Sequence, residues 1–128
     1  MSTLAVVGMQ WGDEGKGRVV DWLAADADVV ARFQGGDNAG HTVVHGDKVF
    51  KLHLVPSGIF RPEVRCVVGA GCAVNPDGLL AELAELHRAD IDTQNLWLDA
   101  RAHVVMPWHL VLDGIEERSR SAKAQIGT

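Results

Sequence analysis

Asp13 and Lys16 are the residues best placed to do chemistry, because of what surrounds them. They stand in Gln10-Trp11-Gly12-Asp13-Glu14-Gly15-Lys16-Gly17, shortly after the apolar run Leu4-Ala5-Val6-Val7. Glycine lets backbone N–H groups approach a ligand closely, and lysine adds a point charge. A helix from Val19 to Ala25 would aim the positive end of its dipole at the same spot. These are the parts of a phosphate cradle. The run departs from the usual phosphate-binding loop, which has glycine where Gln10 stands and Ser or Thr for magnesium where Gly17 stands. A carboxylate beside phosphates is repulsive unless it binds a metal or moves a proton. Asp13 therefore reads as a metal ligand or a base; its plainer reading is a helix N-cap. The plainer reading of Lys16 is a solvated surface lysine, against which the flanking Gly15 and Gly17 argue.

A second glycine-bearing loop, Gln34-Gly35-Gly36-Asp37-Asn38-Ala39-Gly40-His41-Thr42, follows the apolar residues Val29-Val30-Ala31 and Phe33. In open parallel sheets ligands sit beyond the carboxyl ends of strands, so the two loops could converge on one ligand. His41 follows Gly40, where a ring nitrogen could reach a phosphate oxygen; otherwise it is an exposed loop histidine. A rival reading is a metal site from His41, His45 and His53 with Asp37. No cysteine or fourth histidine completes that set at a usual zinc spacing.

The elements that must position these residues alternate between strand and helix. Strands are expected at Leu4 to Val7, Val29 to Phe33 and Val64 to Val68, the last closed by Gly69-Ala70-Gly71. Val43-Val44 and Lys48 to Leu52 flank His45-Gly46-Asp47 as a β-hairpin. Short strands are expected at Leu96 to Leu98 and Val104 to Met106. A helix from Arg18 to Ala25 turns Val19, Trp22 and Leu23 to one face. Asn75 and Pro76 open a helix to about Arg88 with Leu79, Leu80, Leu83 and Leu86 as its apolar stripe. A last helix from Trp108 to Ala124 turns Leu112 and Ile115 inward and pairs Glu116 with Arg120 on its exposed face. The pattern is α/β: a mostly parallel central sheet with flanking helices and a β-hairpin insertion. His53 is expected to hold a backbone carbonyl, and Trp22, Trp97 and Trp108 to be core or interface residues.

A chain of 128 residues makes one domain at most. Its net charge of -5, with the two signs interspersed, argues against a nucleic-acid partner. No apolar segment has the length of a membrane span, and Met1-Ser2-Thr3 carries no signal-peptide pattern, so no membrane partner is expected. Cys66 and Cys72 adjoin apolar residues and read as small buried side chains. These features suit a reducing cytoplasm.

The two loops also carry a resemblance. QWGDEGKG at Gln10 to Gly17, Gln34-Gly35-Gly36 with Asn38-Ala39-Gly40-His41-Thr42, and His53-Leu54-Val55-Pro56-Ser57-Gly58-Ile59 together resemble the N-terminal part of adenylosuccinate synthetase, the GTP-dependent ligase of purine nucleotide synthesis. Asn75-Pro76, Ala122-Lys123-Ala124 and Ile126-Gly127-Thr128 are weaker matches. The departures are Asp37 in a variable place, Arg18 for a usual lysine, and Gln125 as an insertion. The resemblance implies a P-loop NTPase-like fold and the joining of IMP to L-aspartate through a 6-phosphoryl-IMP intermediate. The products are adenylosuccinate, GDP and phosphate, in AMP biosynthesis. It implies Asp13 as the base at N1 of IMP and His41 as the catalytic group on the departing γ-phosphoryl. Magnesium would be held by Asp13 and the Gly40 carbonyl. GTP would be contacted by Gly12, Asp13, Glu14, Gly15, Lys16, Gly17, Arg18, Gly40, His41 and Thr42. IMP would be contacted by Asp13, Glu14, Gly15, Lys16, Asn38, Ala39, Gly40 and His41. It further implies a homodimer at full length. Residues 1–128 are then expected to be the N-terminal part of a single nucleotide-binding ligase domain, with guanine- and aspartate-reading residues elsewhere and Thr128 an uncertain IMP contact. The alternative is a nucleotide-binding piece of that enzyme without catalysis.

Overall fold

A computed structural model describes residues 2–9, 15–38 and 40–119. Helix α1 spans Lys16–Leu23 and tightens into a 3-10 turn at Ala24–Asp26. Strand β1 (Val29–Gly35) leads into a hairpin of β2 (His41–His45) and β3 (Lys48–Leu52). A 3-10 turn at Ser57–Phe60 precedes β4 (Arg65–Val74), helix α2 (Pro76–Arg88), β5 (Leu96–Leu98), β6 (His103–Val104) and helix α3 (Pro107–Ser119).

The α/β expectation holds. Strand β4 is the axis of a parallel sheet: β1 pairs along one side, from Val29 opposite Arg65 to Gly35 opposite Cys72. The other side is shared by β5, beside Cys66 to Val68, and β6, beside Ala73 and Val74. Cys66, Val68, Cys72 and Val74 of β4 are buried. The hairpin turns on Gly46, whose φ of 59° is one L side chains rarely adopt. Its register puts His45 opposite Lys48.

The deepest part of the molecule is irregular. Leu54 through Phe60 are all buried, and Val55, Ile59 and Phe60 pack with Val43, Phe50, Leu52, Cys66 and Leu86 in one core cluster. Buried backbone without a ladder needs other hydrogen-bond partners. Glu82 of α2, only 7% exposed, supplies them. Its carboxylate accepts the N–H groups of His53, Leu54 and Val55, at 2.9 Å for the nearer Leu54 bond and 3.2 Å for Val55. On the other flank Asn95 Nδ2 donates to the carbonyls of Arg61 and Val64 at 3.0 and 2.8 Å.

Several expectations are corrected. Leu4 to Val7 form no strand: among the described residues this run enters no ladder, and Leu4 is 70% exposed. A strand is stabilised by its pairing, and β1 and β4 pair with each other instead. Gly69-Ala70-Gly71 do not close a strand; β4 runs through them to Val74. The register slips there, because Arg32 and Gln34 of β1 oppose Val68 and Gly71, leaving one extra residue on β4. A Cβ on Gly69 would come within 3.2 Å of the Arg32 carbonyl oxygen, and one on Gly71 would fall on that of Phe33. The glycines admit a β-bulge. The short strand expected at Val104 to Met106 is His103–Val104, set by pairing to Ala73 and Val74.

Helix faces expected inward are partly bare. Leu79, Leu83 and Leu86 pack on the core, but Leu80 is exposed on the far side of α2. Val19 and Trp22 of α1, and Leu112 and Ile115 of α3, are exposed, because no described element covers those faces. The core reading of Trp22, Trp97 and Trp108 fails on the same ground, and Trp22 is 75% exposed. Pro76 opens α2 as expected, but Asn75 caps through its backbone carbonyl, which accepts the Leu79 N–H at 3.0 Å, and not through its side chain. The end of the last helix, with Arg120 and Ala124, lies outside the described residues. Cys66 and Cys72 are free and buried, and burial pushes the Cys66 thiol up to about 11. No helix among the described residues is long and apolar enough to cross a membrane.

Candidate functional site

Gly15 builds the first wall of the site. Its φ of 83° places the residue before α1 in the left-handed region, where glycine costs least. Its carbonyl accepts the Arg18 N–H at 3.1 Å, closing the first turn. Lys16 and Gly17, the first residues of α1, line the space beyond, at the end where a helix's leading N–H groups have no partner within the helix.

Gly17 has a role of a different kind. A Cβ there would collide with His41, lying 2.7 Å from its Cγ. The position where a usual phosphate loop carries Ser or Thr is bare here because a histidine of the second loop packs against it. That contact brings the two glycine-bearing loops together. Gly15, Lys16, Gly17 and Arg18 line one cleft of about 680 Å³ with Gln34, Gly40, His41 and Thr42. Val6, Val7 and Gly8 complete another part of its wall, as do Val55, Pro56 and Ser57.

The cleft holds buried polar atoms that lack partners. His41 Nε2 and Ser57 Oγ are buried with no hydrogen bond, and Ser57 is 1% exposed. The pKa of His41 is lowered, first by burial and then by the positive charge of Arg32, so the ring is neutral at neutral pH. A neutral imidazole keeps one N–H donor and one acceptor.

The loop between β1 and β2 is held from behind. Arg32 donates through Nη1 to the His53 carbonyl and through Nη2 to that of Gly36. The His53 ring meets the Asp37 carbonyl through Nδ1 at 2.8 Å, the expected carbonyl-holding role. His45 instead stacks on Phe60, ring centroids 4.9 Å apart. The three histidines of the rival metal reading are thus turned to different tasks. Among the described residues no group of three His, Cys, Asp or Glu is arranged to hold a metal.

Of the predicted site residues, the cleft gathers Gly15, Lys16, Gly17, Arg18, Gly40, His41 and Thr42. Asn38 sits in the turn before β2 and does not line it. Gly12, Asp13, Glu14 and Ala39 lie outside the described residues, as do Gln10, Trp11 and Thr128. Sequence reasoning missed Arg32, Glu82 and Ser57. Glu82 had a signal: three before it stands Leu79 and four after it Leu86, so it lies on the apolar face of α2. Arg32 had a weaker one, a charge within the apolar run Val29 to Phe33.

A family model described as adenylosuccinate synthetase matches residues 5–128. The adenylosuccinate synthetase of Dehalococcoides mccartyi is 52% identical over 128 residues, all of this chain and 30% of that protein. That of Brevibacillus brevis is 53% identical with the same coverage. The chain therefore spans about 30% of the length of the curated relatives it matches. Among solved structures, the fully ligated adenylosuccinate synthetase of Plasmodium falciparum superposes with a TM-score of 0.75 at 37% identity. The match covers 88% of this chain and 26% of that one. The succinoaminodeoxyadenylate synthetase of cyanophage S-2L, bound to dGMP and to dATP as an energy donor, gives a TM-score of 0.67 at 31% identity. It covers 83% of this chain and 30% of the other.

Proposed function

The chain belongs to the adenylosuccinate synthetase family, and from that premise we propose that it supplies the phosphoryl-transfer centre for GTP-dependent joining of IMP and L-aspartate. The observation that carries this reading is the single cleft in which the α1 N-terminus and Lys16 face Gly40, His41 and Thr42. A helix N-terminus with a lysine suits the phosphates of a nucleoside triphosphate. His41, with an unpartnered ring nitrogen, can donate to an oxygen whose charge grows as the γ-phosphoryl departs.

Asp13 takes the remaining role by its place in the motif. The 6-oxygen of IMP becomes a nucleophile when the N1 proton is removed, and a carboxylate within hydrogen-bond reach can remove it. The oxygen then attacks the γ-phosphorus, GDP leaves, and the aspartate amine later displaces phosphate from carbon 6. A magnesium ion would be held by the Asp13 carboxylate and the Gly40 carbonyl. That all-oxygen donor set fits a hard cation, and Gly40 lines the cleft beside the cradle. When bound, the ion neutralises charge on the phosphate oxygens. Lys16 and the α1 N–H groups hold the phosphates while Gly17 keeps His41 against them. Cytoplasmic location and a homodimer at full length complete the proposal.

The test is direct: the protein expressed from its full reading frame is mixed with IMP, L-aspartate, GTP and magnesium, and adenylosuccinate is followed by absorbance. Product that requires all three substrates supports the reading. No product, or GTP hydrolysis indifferent to IMP, overturns it. Nucleotide binding without product would favour the non-catalytic alternative. A run with ATP tests the donor base, since the phage neighbour carries dATP as its donor.

A further inference from the structure

We propose that His53 is the positioning residue of the loop Gly36 to His41, acting through its Nδ1–H on the Asp37 carbonyl. The proposal rests on the reading of the cleft given above. His53 does not line that cleft. It lines a second hollow of about 410 Å³ with Asp37, Glu82 and Glu85, and its ring reaches the cleft through the loop.

Four ties meet on this one residue. Its N–H donates to the buried Glu82 carboxylate. Its carbonyl accepts from Arg32, whose other terminal nitrogen holds the Gly36 carbonyl. Its ring Nδ1 lies 2.8 Å from the Asp37 carbonyl oxygen. Its ring also lies against Gly40 so closely that a Cβ there would come within 2.9 Å of Cε1. The backbone of His53 is thus fixed from two elements, α2 and β1. Its ring reaches across to the segment that carries Asn38, Gly40 and His41.

A carbonyl oxygen only accepts, so this hydrogen bond is made by a proton on Nδ1. The consequence is specific to one atom. Asn can place its amide nitrogen near the position of Nδ1, whereas the longer Gln reaches toward Nε2. His53→Asn therefore keeps the donor to Asp37 and His53→Gln loses it. Misplacement of a reacting group by about 1 Å lowers a rate on the order of 10²-fold, so loop position should show in turnover.

The experiment compares the two variants with the parent, each expressed from the full reading frame. His53→Asn should keep turnover within ~3-fold of the parent. His53→Gln should lower kcat by ~10- to 100-fold while the dissociation constant for GTP moves less than ~3-fold. Hydrogen exchange should quicken at residues 36–42 in His53→Gln and not in β1 or β4. Equal effects of Asn and Gln, or a loss confined to GTP affinity, overturn the proposal. Should both variants misfold, nitrogen NMR of the histidine-labelled parent decides. A proton on Nδ1 supports the proposal, and an Nδ1 without one overturns it. A parent that makes no adenylosuccinate defeats the functional reading alone, since the exchange and tautomer measurements do not depend on turnover.

Discussion

Asp13, His41 and Ser57 bear on the cleft in three different ways. Asp13→Asn keeps the side chain's shape but cannot accept a proton. We expect turnover to fall by at least ~10², the usual scale for losing a general base, with circular dichroism unchanged. Near-parent activity would leave Asp13 as a helix cap. His41→Asn should lower kcat more than it weakens GTP binding, because its contribution grows as charge develops. A raised Michaelis constant with unchanged turnover would contradict that role. Ser57→Ala removes a buried hydroxyl that has no partner, so the free protein should gain about 1 kcal/mol in thermal melts. A loss of similar size would mean that Oγ is satisfied after all. At this scale the sequence was most legible for residues with unusual neighbours. Lys16 and His41 were found because glycines flank them or stand beside them. Ser57 was hidden, since a serine beside proline and glycine reads as a turn.

Elements were legible where their local chemistry and their packing agree. The hairpin and α2 announce themselves through Gly46 and through Asn75-Pro76, and both form. Leu4 to Val7 failed because a strand is a relation between segments, and the pairing partner is not written in the run itself. The glycines of β4 failed differently. Gly69 and Gly71 look like a strand end until the bulge against Arg32 and Phe33 gives them a reason to be there. The contact between α1 and β2 gives the test at this scale. Gly→Ala inside a helix ordinarily stabilises by about 1 kcal/mol. At Gly17 the new methyl would meet His41 beside its backbone, where a side chain cannot swing away. Overpacking costs roughly 1–3 kcal/mol, so we expect Gly17→Ala to lower stability and to impair turnover through a displaced His41. A raised melting temperature with full activity would show that the two loops do not touch.

The whole molecule carries a core that is well closed on one side and open on another. Glu82, Asn95 and Arg32 satisfy the irregular segment around Leu54 to Phe60, and among the described residues every strand but β2 and β3 joins one parallel sheet. Parallel sheets are stable when both faces and both edges are covered. Here β1 stands at an edge of that sheet, and Val29 and Phe33 on it are exposed. Trp108, Leu110, Val111, Leu112 and Ile115 make α3 apolar on faces that no described element covers. Trp97 is exposed as well, with the Arg65 guanidinium 5.3 Å from its ring centroid. Scattered apolar side chains are ordinary on a protein surface, but several on one short helix form a patch that water disfavours. The 128-residue chain expressed by itself should therefore self-associate and form no adenylosuccinate. Gel filtration with light scattering reads the first and the substrate assay the second. A dye that fluoresces on apolar surface should bind strongly, because the bare faces of α1 and α3 are available to it. Conversely, a monodisperse monomer with one cooperative melt would mean that these faces find cover within the chain, and measurable product would mean that the cleft needs nothing beyond it.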